Sequence, residues 1–218
     1  MASHWDGAFF GAELHPAACL PVILRLPRLL ELFSGTGPIG NIFRSRGWEV
    51  ISIDSDPKMR PTLVVDIGSF EYRMLGGSFD AVWCSPPCTQ YSIARSNAKK
   101  ERDLDGSDQL VRRCRDIIPY VQPMAWFIEN PHSGLLKGRD VVSYLPSVIV
   151  DYCMYGWPYR KRTIIFTNCT GQRWTVLCHH DCGGIGRESP CQLGTEGGEN
   201  PGRWVYERRT LRDAAVAQ

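Results

Sequence analysis

One stretch constrains the fold more than any other: an apolar run that ends in a rigid turn, Ala81-Val82-Trp83-Cys84-Ser85-Pro86-Pro87-Cys88. Consecutive apolar residues are typical of a strand that is covered on both faces, and the two prolines fix φ in the turn. Cys88 is therefore expected on a loop at the carboxyl end of a strand, the edge at which open α/β sheets bind ligands. A thiol held there is a candidate nucleophile, and one more buried cysteine is the alternative.

Length, charge and cysteine usage narrow the possibilities. The 218 residues suffice for one domain with its own core, and no run is apolar enough to predict a membrane span. With a formal net charge of +2 and a pI of about 8.1, affinity for nucleic acid would come from local patches. The nine cysteines form an odd, scattered set, which favours an intracellular, reducing compartment over a disulfide framework.

Three strand patterns precede this stretch, at residues 28–33, 48–53 and 62–65. The first ends in a glycine turn, Ser34-Gly35-Thr36-Gly37, which lets the backbone approach a ligand and opens a helix whose N–H groups are free. The second ends in Asp54, placed to accept hydrogen bonds from ribose hydroxyls, and the third ends in Asp66. Each acid could instead cap a helix or turn. Taken together, the three endings predict a nucleotide-type pocket.

The chain after Cys88 supplies further reactive groups. Residues 107–121 have helical spacing, with Ser107 or Asp105 as the expected cap, and a strand at 125–128 ends in Glu129-Asn130-Pro131. Strand patterns at 148–150 and 163–166 flank an aromatic turn that carries three cations, Arg160, Lys161 and Arg162. We therefore predict an α/β fold with a mostly parallel sheet.

A thiol, a carboxyl group and arginines at one sheet edge suit nucleophilic addition to a ring. Cytosine C5 is too electron-poor to attack a methyl donor until a nucleophile adds at C6. Cys88 could add there as a thiolate, and Glu129 could bind or protonate N3. Arg160 or Arg162 would favour the thiolate and contact O2 of the base.

These residues resemble the DNA (cytosine-5) methyltransferase family, over about Leu29 to Asn168. Pro86-Pro87-Cys88 is similar to its nucleophile motif, and Glu129-Asn130-Pro131 to its acid motif. Arg160 and Arg162 are similar to its arginine motif, but Tyr159 stands where the family usually has glutamine, so which arginine contacts the base stays open. The implied cofactor-binding residues are Phe33, Ser34, Gly35, Thr36, Gly37, Asp54, Ser55, Asp66, Ile67, Ser85 and Pro86.

The resemblance implies a Rossmann-like methyltransferase fold, S-adenosylmethionine as cofactor and a flipped-out nucleotide of DNA as substrate. RNA is the alternative substrate, and a catalytically silent subunit that needs a partner is the alternative function. We expect an arm at 1–27, a catalytic domain at 28–168 and a small irregular segment at 169–218, a possible reduced target-recognition region. The chain looks most like compact viral and phage members, which would place it in a host cytoplasm or nucleus. Its oligomeric state is not predictable.

Two further expectations concern the periphery of the chain. Cys169, Cys178, Cys182 and Cys191 could hold a structural zinc ion in the glycine-rich tail, with free buried thiols as the alternative. A second group of side chains is cationic and is expected to meet DNA phosphates, which position a duplex without identifying its sequence. These cations are Arg95, Lys99, Lys100, Arg102, Arg160, Lys161, Arg162 and Arg173.

Overall fold

The computed structural model describes residues 25–93, 101–155, 160–171 and 177–178. Within these ranges the chain forms a single seven-stranded sheet with two α-helices and several short 3-10 turns. The strands are β1 (Arg28–Leu32), β2 (Glu49–Asp54), β3 (Leu63–Val64), β4 (Ala81–Cys84), β5 (Ala125–Pro131), β6 (Ser147–Asp151) and β7 (Arg162–Thr167), and the helices are α1 (Pro38–Ser45) and α2 (Leu104–Val121).

The sheet has the order β3-β2-β1-β4-β5-β7-β6, and among these strands only β7 runs in the direction opposite to the others. The predicted α/β, Rossmann-like fold with a mostly parallel sheet is confirmed. From β1 the chain passes through α1 to β2 and β3 on one side, and then returns to β4 on the other side. This reversal opens a crevice at the carboxyl ends of β1 and β4, where sheets of this kind bind ligands.

Alternation along the strands divides the apolar residues between two faces. Leu30, Val82 and Ile128 belong to the larger core, which also receives the buried stripe of α2, Val111, Cys114, Ile117 and Val121. On the opposite face Leu29, Val50 and Ala81 pack against side chains of α1. Successive side chains of a strand point to opposite faces of the sheet, so each strand contributes residues to the apolar clusters on both faces.

Helix α2 begins three residues earlier than expected. Its N-cap is Asp103, whose Oδ1 accepts a hydrogen bond of 2.8 Å from the main-chain N–H of Gly106. The expected caps, Asp105 and Ser107, lie inside the first turn of the helix. A short carboxylate just before the helix satisfies a free N–H and allows the helix to start there.

The six described cysteines, Cys84, Cys88, Cys114, Cys153, Cys169 and Cys178, are free thiols. No helix in the described ranges has the length and apolar character to cross a membrane. Most of the expected arm (1–24) and of the expected C-terminal segment (172–176 and 179–218) lies outside the described residues, so the division into three parts stays a prediction.

Candidate active site

The turn after β1 adopts a backbone that few residues tolerate. Phe33, Gly35 and Gly37 have φ values of 57°, 50° and 71°. The N–H of Gly35 donates to Oδ2 of Asp54 at 2.8 Å, and the other carboxylate oxygen accepts from the N–H of Asp56 at 2.9 Å. Asp54, at the end of the neighbouring strand β2, thus stabilises the glycine turn through a hydrogen bond to its main chain. Gly37 caps α1 without a side-chain hydrogen bond.

A pocket of about 1080 Å³ opens beside this turn and extends across the sheet to β5, β6 and β7. Of the residues expected to bind the cofactor, those that line the pocket are Phe33, Ser34, Gly35, Thr36 and Ser85. The others, Gly37, Asp54, Ser55, Asp66, Ile67 and Pro86, are not among its lining residues. Ile67 is buried in the main core, and Asp66 is exposed with its Oδ1 accepting from the N–H of Gly68.

Glu31 also lines the pocket, and the sequence analysis did not single it out. Its side chain is 2% exposed, and among the described residues its Oε2 has no hydrogen-bond partner. Burial raises its pKa, against the opposing effects of the Gly40 N–H and of Arg44. A β-carbon at Gly40 would collide with this carboxylate, which explains the glycine there. An acid within the apolar strand Leu29-Leu30-Glu31-Leu32 is a signal that could have identified it.

The two cysteines near the end of β4 differ sharply. Cys84 is fully buried in the core, where burial and the neighbouring Cys114 raise the pKa of its thiol. Cys88 is half-buried on the loop that follows, and its carbonyl accepts a hydrogen bond from the N–H of Tyr91 at 3.0 Å. The same loop is tied to β5, because the Asn130 side chain donates to the carbonyl of Pro86 at 3.1 Å.

Glu129 reaches the pocket from β5. Its side chain is 12% exposed, and its carboxylate lies 3.4 Å from the ammonium of Lys161. Lys161 also lies over the ring of Tyr152, 4.9 Å from the centroid. Burial raises the pKa of Tyr152, and the charge of Glu129 raises it further. These three side chains form one cluster, in which Lys161 and Tyr152 were not anticipated as partners of Glu129.

Two of the arginines that were expected to contact DNA are bonded to groups of the protein itself. Arg162 donates to Asp151 on β6 at 2.7 and 2.9 Å, and Asp151 is fully buried. Arg160 is half-buried, while residues 156–159 are outside the described chain. Arg102 donates to the carbonyls of Gln90 and Ser92 rather than lying free for phosphate. Residues 95, 99, 100 and 173, also expected to contact DNA, lie outside the described ranges.

The zinc expectation finds no support. Cys182 and Cys191 lie outside the described residues, and within the described part no group of three His, Cys, Asp or Glu side chains could hold a metal ion. Cys178 is buried against Cys153, and its N–H donates to Asp151 at 2.8 Å. Cys169 is half-buried at the rim of the pocket.

Known proteins are similar to this chain in sequence and in fold. The chain is 31% identical to the probable DNA (cytosine-5)-methyltransferase of Frog virus 3 (isolate Goorha), over 74% of this chain and 89% of that protein. It is 25% identical to the type II methyltransferase M.AgeI of Thalassovita gelatinovora, over 67% of this chain and 40% of that one. No protein-family model matches the sequence.

A solved structure extends the comparison to the fold. The Entamoeba histolytica methyltransferase EhMeth superposes with a TM-score of 0.52 at 21% identity, over 71% of this chain and 57% of that chain. The match to the Frog virus 3 protein covers most of both chains. It accompanies a fold with a mostly parallel sheet, a glycine turn after β1, and the Cys88 and Glu129 segments on neighbouring strands. On these grounds the chain belongs to the DNA (cytosine-5)-methyltransferase family.

Proposed function

We propose that this chain methylates C5 of cytosine in DNA with a methyl group from S-adenosylmethionine, through a transient covalent bond between Cys88 and C6. One observation carries the mechanism: a hydrogen bond joins the Cys88 loop to the strand that bears Glu129, one residue beyond Ser85 and Glu129, which line the pocket, although Cys88 itself is not among the lining residues. The contact is the hydrogen bond of 3.1 Å from Asn130 to the carbonyl of Pro86. It holds a nucleophile and an acid at one edge of the sheet.

Strand register supports this arrangement. β4 and β5 pair in parallel, with Cys84 opposite Ile128, so the next residues along the two segments, Ser85 and Glu129, come side by side, and both line the pocket. Their neighbours along the chain, Pro86 and Asn130, are the residues that the hydrogen bond joins. In the proposed complex the base lies beside this contact, between the Cys88 thiol and the Glu129 carboxyl group.

The chemistry follows from these two groups. The Cys88 thiol gives its proton to solvent water, and the sulfur electron pair forms a bond to C6 while the C5–C6 double-bond pair moves onto C5. Glu129, which would have to take up a proton on meeting the base, then donates a hydrogen bond to N3 and stabilises the charge that develops in the ring. When bound, S-adenosylmethionine supplies the methyl group that C5 accepts. Solvent water takes the proton from C5, the electron pair of the C5–H bond re-forms the C5–C6 double bond, and the C6–S bond breaks so that its pair returns to Cys88 as the thiolate.

Unsatisfied polar atoms around the glycine turn fit a polar cofactor. Glu31 Oε2 and Ser34 Oγ are buried and lack partners within the described chain, and both residues line the pocket. Buried polar groups are nearly always hydrogen-bonded, so a ligand ammonium or hydroxyl would complete them. A β-carbon at Gly35 would meet no atom within 4 Å, which leaves room for a ligand to approach the backbone closely. We assign the amino-acid end of the cofactor to Glu31 and Ser34 and its ribose to Asp54.

Arg160 and Arg162 complete the proposed catalytic set. Arg162 is paired with Asp151, so it acts on the base only if that pair opens or if its guanidinium serves both partners. Access to the pocket requires the cytosine to leave the base stack, since a paired base is closed to attack at C6. Base flipping is accordingly part of the proposal.

Incubation of the purified chain with labelled S-adenosylmethionine and duplex DNA, single-stranded DNA or tRNA, followed by nucleoside analysis, tests the function. We expect 5-methylcytosine in DNA. Label found only in RNA would show that RNA, and not DNA, is the substrate. Absence of transfer by the pure chain would favour the alternative that this chain is a subunit that needs a partner for activity. A Cys88→Ala variant in the same assay separates methyl transfer from a contaminating activity.

A further inference from the structure

A buried polar network joins the Cys88 loop to two other segments. The hydroxyl of Tyr91, a fully buried residue, donates to Oδ1 of Asp108 on α2 at 2.8 Å. The other carboxylate oxygen of Asp108 accepts two hydrogen bonds from Arg139, at 2.6 and 3.0 Å. Asp108 is 3% exposed, so this charge is satisfied by Tyr91 on one oxygen and by Arg139 on the other. Burial raises the pKa of Tyr91, and Asp108 raises it further, which keeps the hydroxyl a donor.

The main chain of the same loop is held from the other side. The carbonyl of Tyr91 accepts from the N–H of Leu135 at 2.9 Å, and Leu135 follows the strand that bears Glu129. Arg102 donates to the carbonyls of Gln90 and Ser92, one residue to either side of Tyr91, at 2.8 and 2.7 Å. Arg139 lies in the linker that follows β5 as well. The network therefore connects the nucleophile loop to the chain that carries the acid.

We propose that Tyr91 is a positioning residue, which acts through its bond to Asp108 and Arg139 to hold the Cys88 thiol at a constant place relative to Glu129. The proposal rests on the role of Cys88 proposed above. An unpartnered carboxylate oxygen in the core is costly, so loss of the Tyr91 hydroxyl should make Asp108 recruit water or a new donor. Either response shifts the loop, because Tyr91 is three residues from Cys88 and bonded to its carbonyl.

The test compares Tyr91→Phe with Tyr120→Phe as a matched control. Tyr120 also donates its hydroxyl, to the carbonyl of Arg73 at 2.9 Å, but near the far end of α2. The first readout is the rate of covalent complex formation with duplex DNA that contains 5-fluorocytosine, in which the C5 substituent cannot leave as a proton. The second is the rate at which iodoacetamide alkylates Cys88, followed by peptide mass spectrometry with Cys169 as internal reference.

We expect Tyr91→Phe to slow complex formation about tenfold, equivalent to about 1.4 kcal/mol in the barrier, and to speed Cys88 alkylation. Affinities for cofactor and DNA should stay unchanged, as should both rates in Tyr120→Phe. Asp108→Asn, which keeps an acceptor for Tyr91 but weakens the pair with Arg139, should give a smaller effect. The double variant Tyr91→Phe/Asp108→Asn should fall short of the product of the single effects, as expected for one network.

The outcomes separate the two proposals. A normal complex-formation rate in Tyr91→Phe, at a temperature where the variant is folded, overturns the positioning role, whatever happens to alkylation. The positioning role is also overturned if the rate of the double variant Tyr91→Phe/Asp108→Asn equals the product of the two single effects, because the two residues would then act independently. If wild-type protein forms no complex, or Cys88→Ser forms one equally well, the proposed mechanism fails instead, and altered alkylation in Tyr91→Phe still shows whether the network holds the loop.

Discussion

The carboxyl edge of the sheet has two halves that are built differently. Around β1, β2 and α1, the pocket is shaped by the main chain, with three turn positions at positive φ and an Asp54 carboxylate that bonds to main-chain N–H groups. Around β4, β5 and β7, side chains bond to one another or to carbonyls across the sheet, as in the Glu129–Lys161 and Arg162–Asp151 pairs.

The difference reflects what each half is proposed to do. A nucleotide-type cofactor offers many hydrogen-bonding groups, which a rigid backbone turn and one acid can recognise. Chemistry on a base requires a thiol and a carboxyl group at defined positions, and those positions depend on the side chains that hold them. Substitutions in the first half should therefore change cofactor affinity, and substitutions in the second should change turnover or local stability.

The largest expected effect is from Cys88→Ser. Turnover should fall by more than about 1,000-fold, since a serine hydroxyl cannot replace a thiolate at neutral pH, while cofactor affinity stays unchanged. Radiolabel transfer and calorimetry measure the two quantities. The matched control is Cys84→Ala, for which we expect a loss of about 1 kcal/mol of stability and normal activity per folded molecule. Turnover above about a tenth of wild type in Cys88→Ser contradicts the nucleophile assignment.

Glu129→Gln comes next. Losing the acid should reduce turnover by about 100-fold or more and leave cofactor affinity intact. Single-turnover kinetics at saturating cofactor measures the first quantity, and calorimetry the second. Lys161→Met, which removes the cation beside Glu129, should have a weaker effect on turnover. If Glu129→Gln weakened cofactor binding by as large a factor as it reduced turnover, the two halves of the pocket would not act separately, and the distinction drawn above would be wrong.

Asp54→Ala tests the opposite half. Removing a charged acceptor should weaken S-adenosylmethionine binding by about 1 to 3 kcal/mol, roughly 5- to 150-fold, with near-normal turnover at saturating cofactor. Isothermal titration calorimetry gives the affinity directly. Asp56→Ala is the control, because its carboxylate caps the next short turn through the N–H of Lys58. Equal effects from Asp54→Ala and Asp56→Ala would place the ribose contact elsewhere.

The last prediction concerns stability rather than turnover or affinity, and the variant is Arg162→Met. Burial alone would raise the pKa of Asp151, but the hydrogen bonds from Arg162 and the Cys178 N–H outweigh it and leave the pKa lowered. The pair therefore stabilises the fold above the ordinary carboxyl value of 3.8 and loses this contribution as pH falls through the lower folded-state pKa. We expect a loss of about 1 to 3 kcal/mol at neutral pH, below the full cost of a buried pair because Arg162 is partly exposed.

Thermal melts of wild type and Arg162→Met from pH 7 to pH 2 check this prediction. The difference in Tm should be largest at neutral pH and should begin to shrink only below the ordinary carboxyl pKa of 3.8, as Asp151 of the wild type takes up a proton. A difference that stays constant over this range would mean that Arg162 stabilises the strand pair by packing alone. Arg162→Lys, which keeps the charge but loses the paired geometry, should fall between the two.

Local patterns accounted for most of the fold. The seven described strands lie where runs of apolar and β-branched residues predicted them, because such runs are compatible with a buried strand wherever it sits in the sheet. The start of α2 was wrong by three residues, since several acids near position 103 could each cap the helix. The pocket-lining residues of the glycine turn were predictable for the same local reason, as they form one continuous motif.

By itself, the sequence determined where strands end and which reactive side chains follow them, since both depend on neighbours along the chain. Only the tertiary structure decided which side chains meet: Glu129 with Lys161, Asp151 with Arg162, Tyr91 with Asp108, and Asp108 with Arg139. These partners are 32, 11, 17 and 31 residues apart, and nothing in the local pattern distinguishes them from other charged residues. Strand register places Asp151 opposite Arg162, and the packing of α2 against the turns that follow β5 brings Asp108 to Arg139.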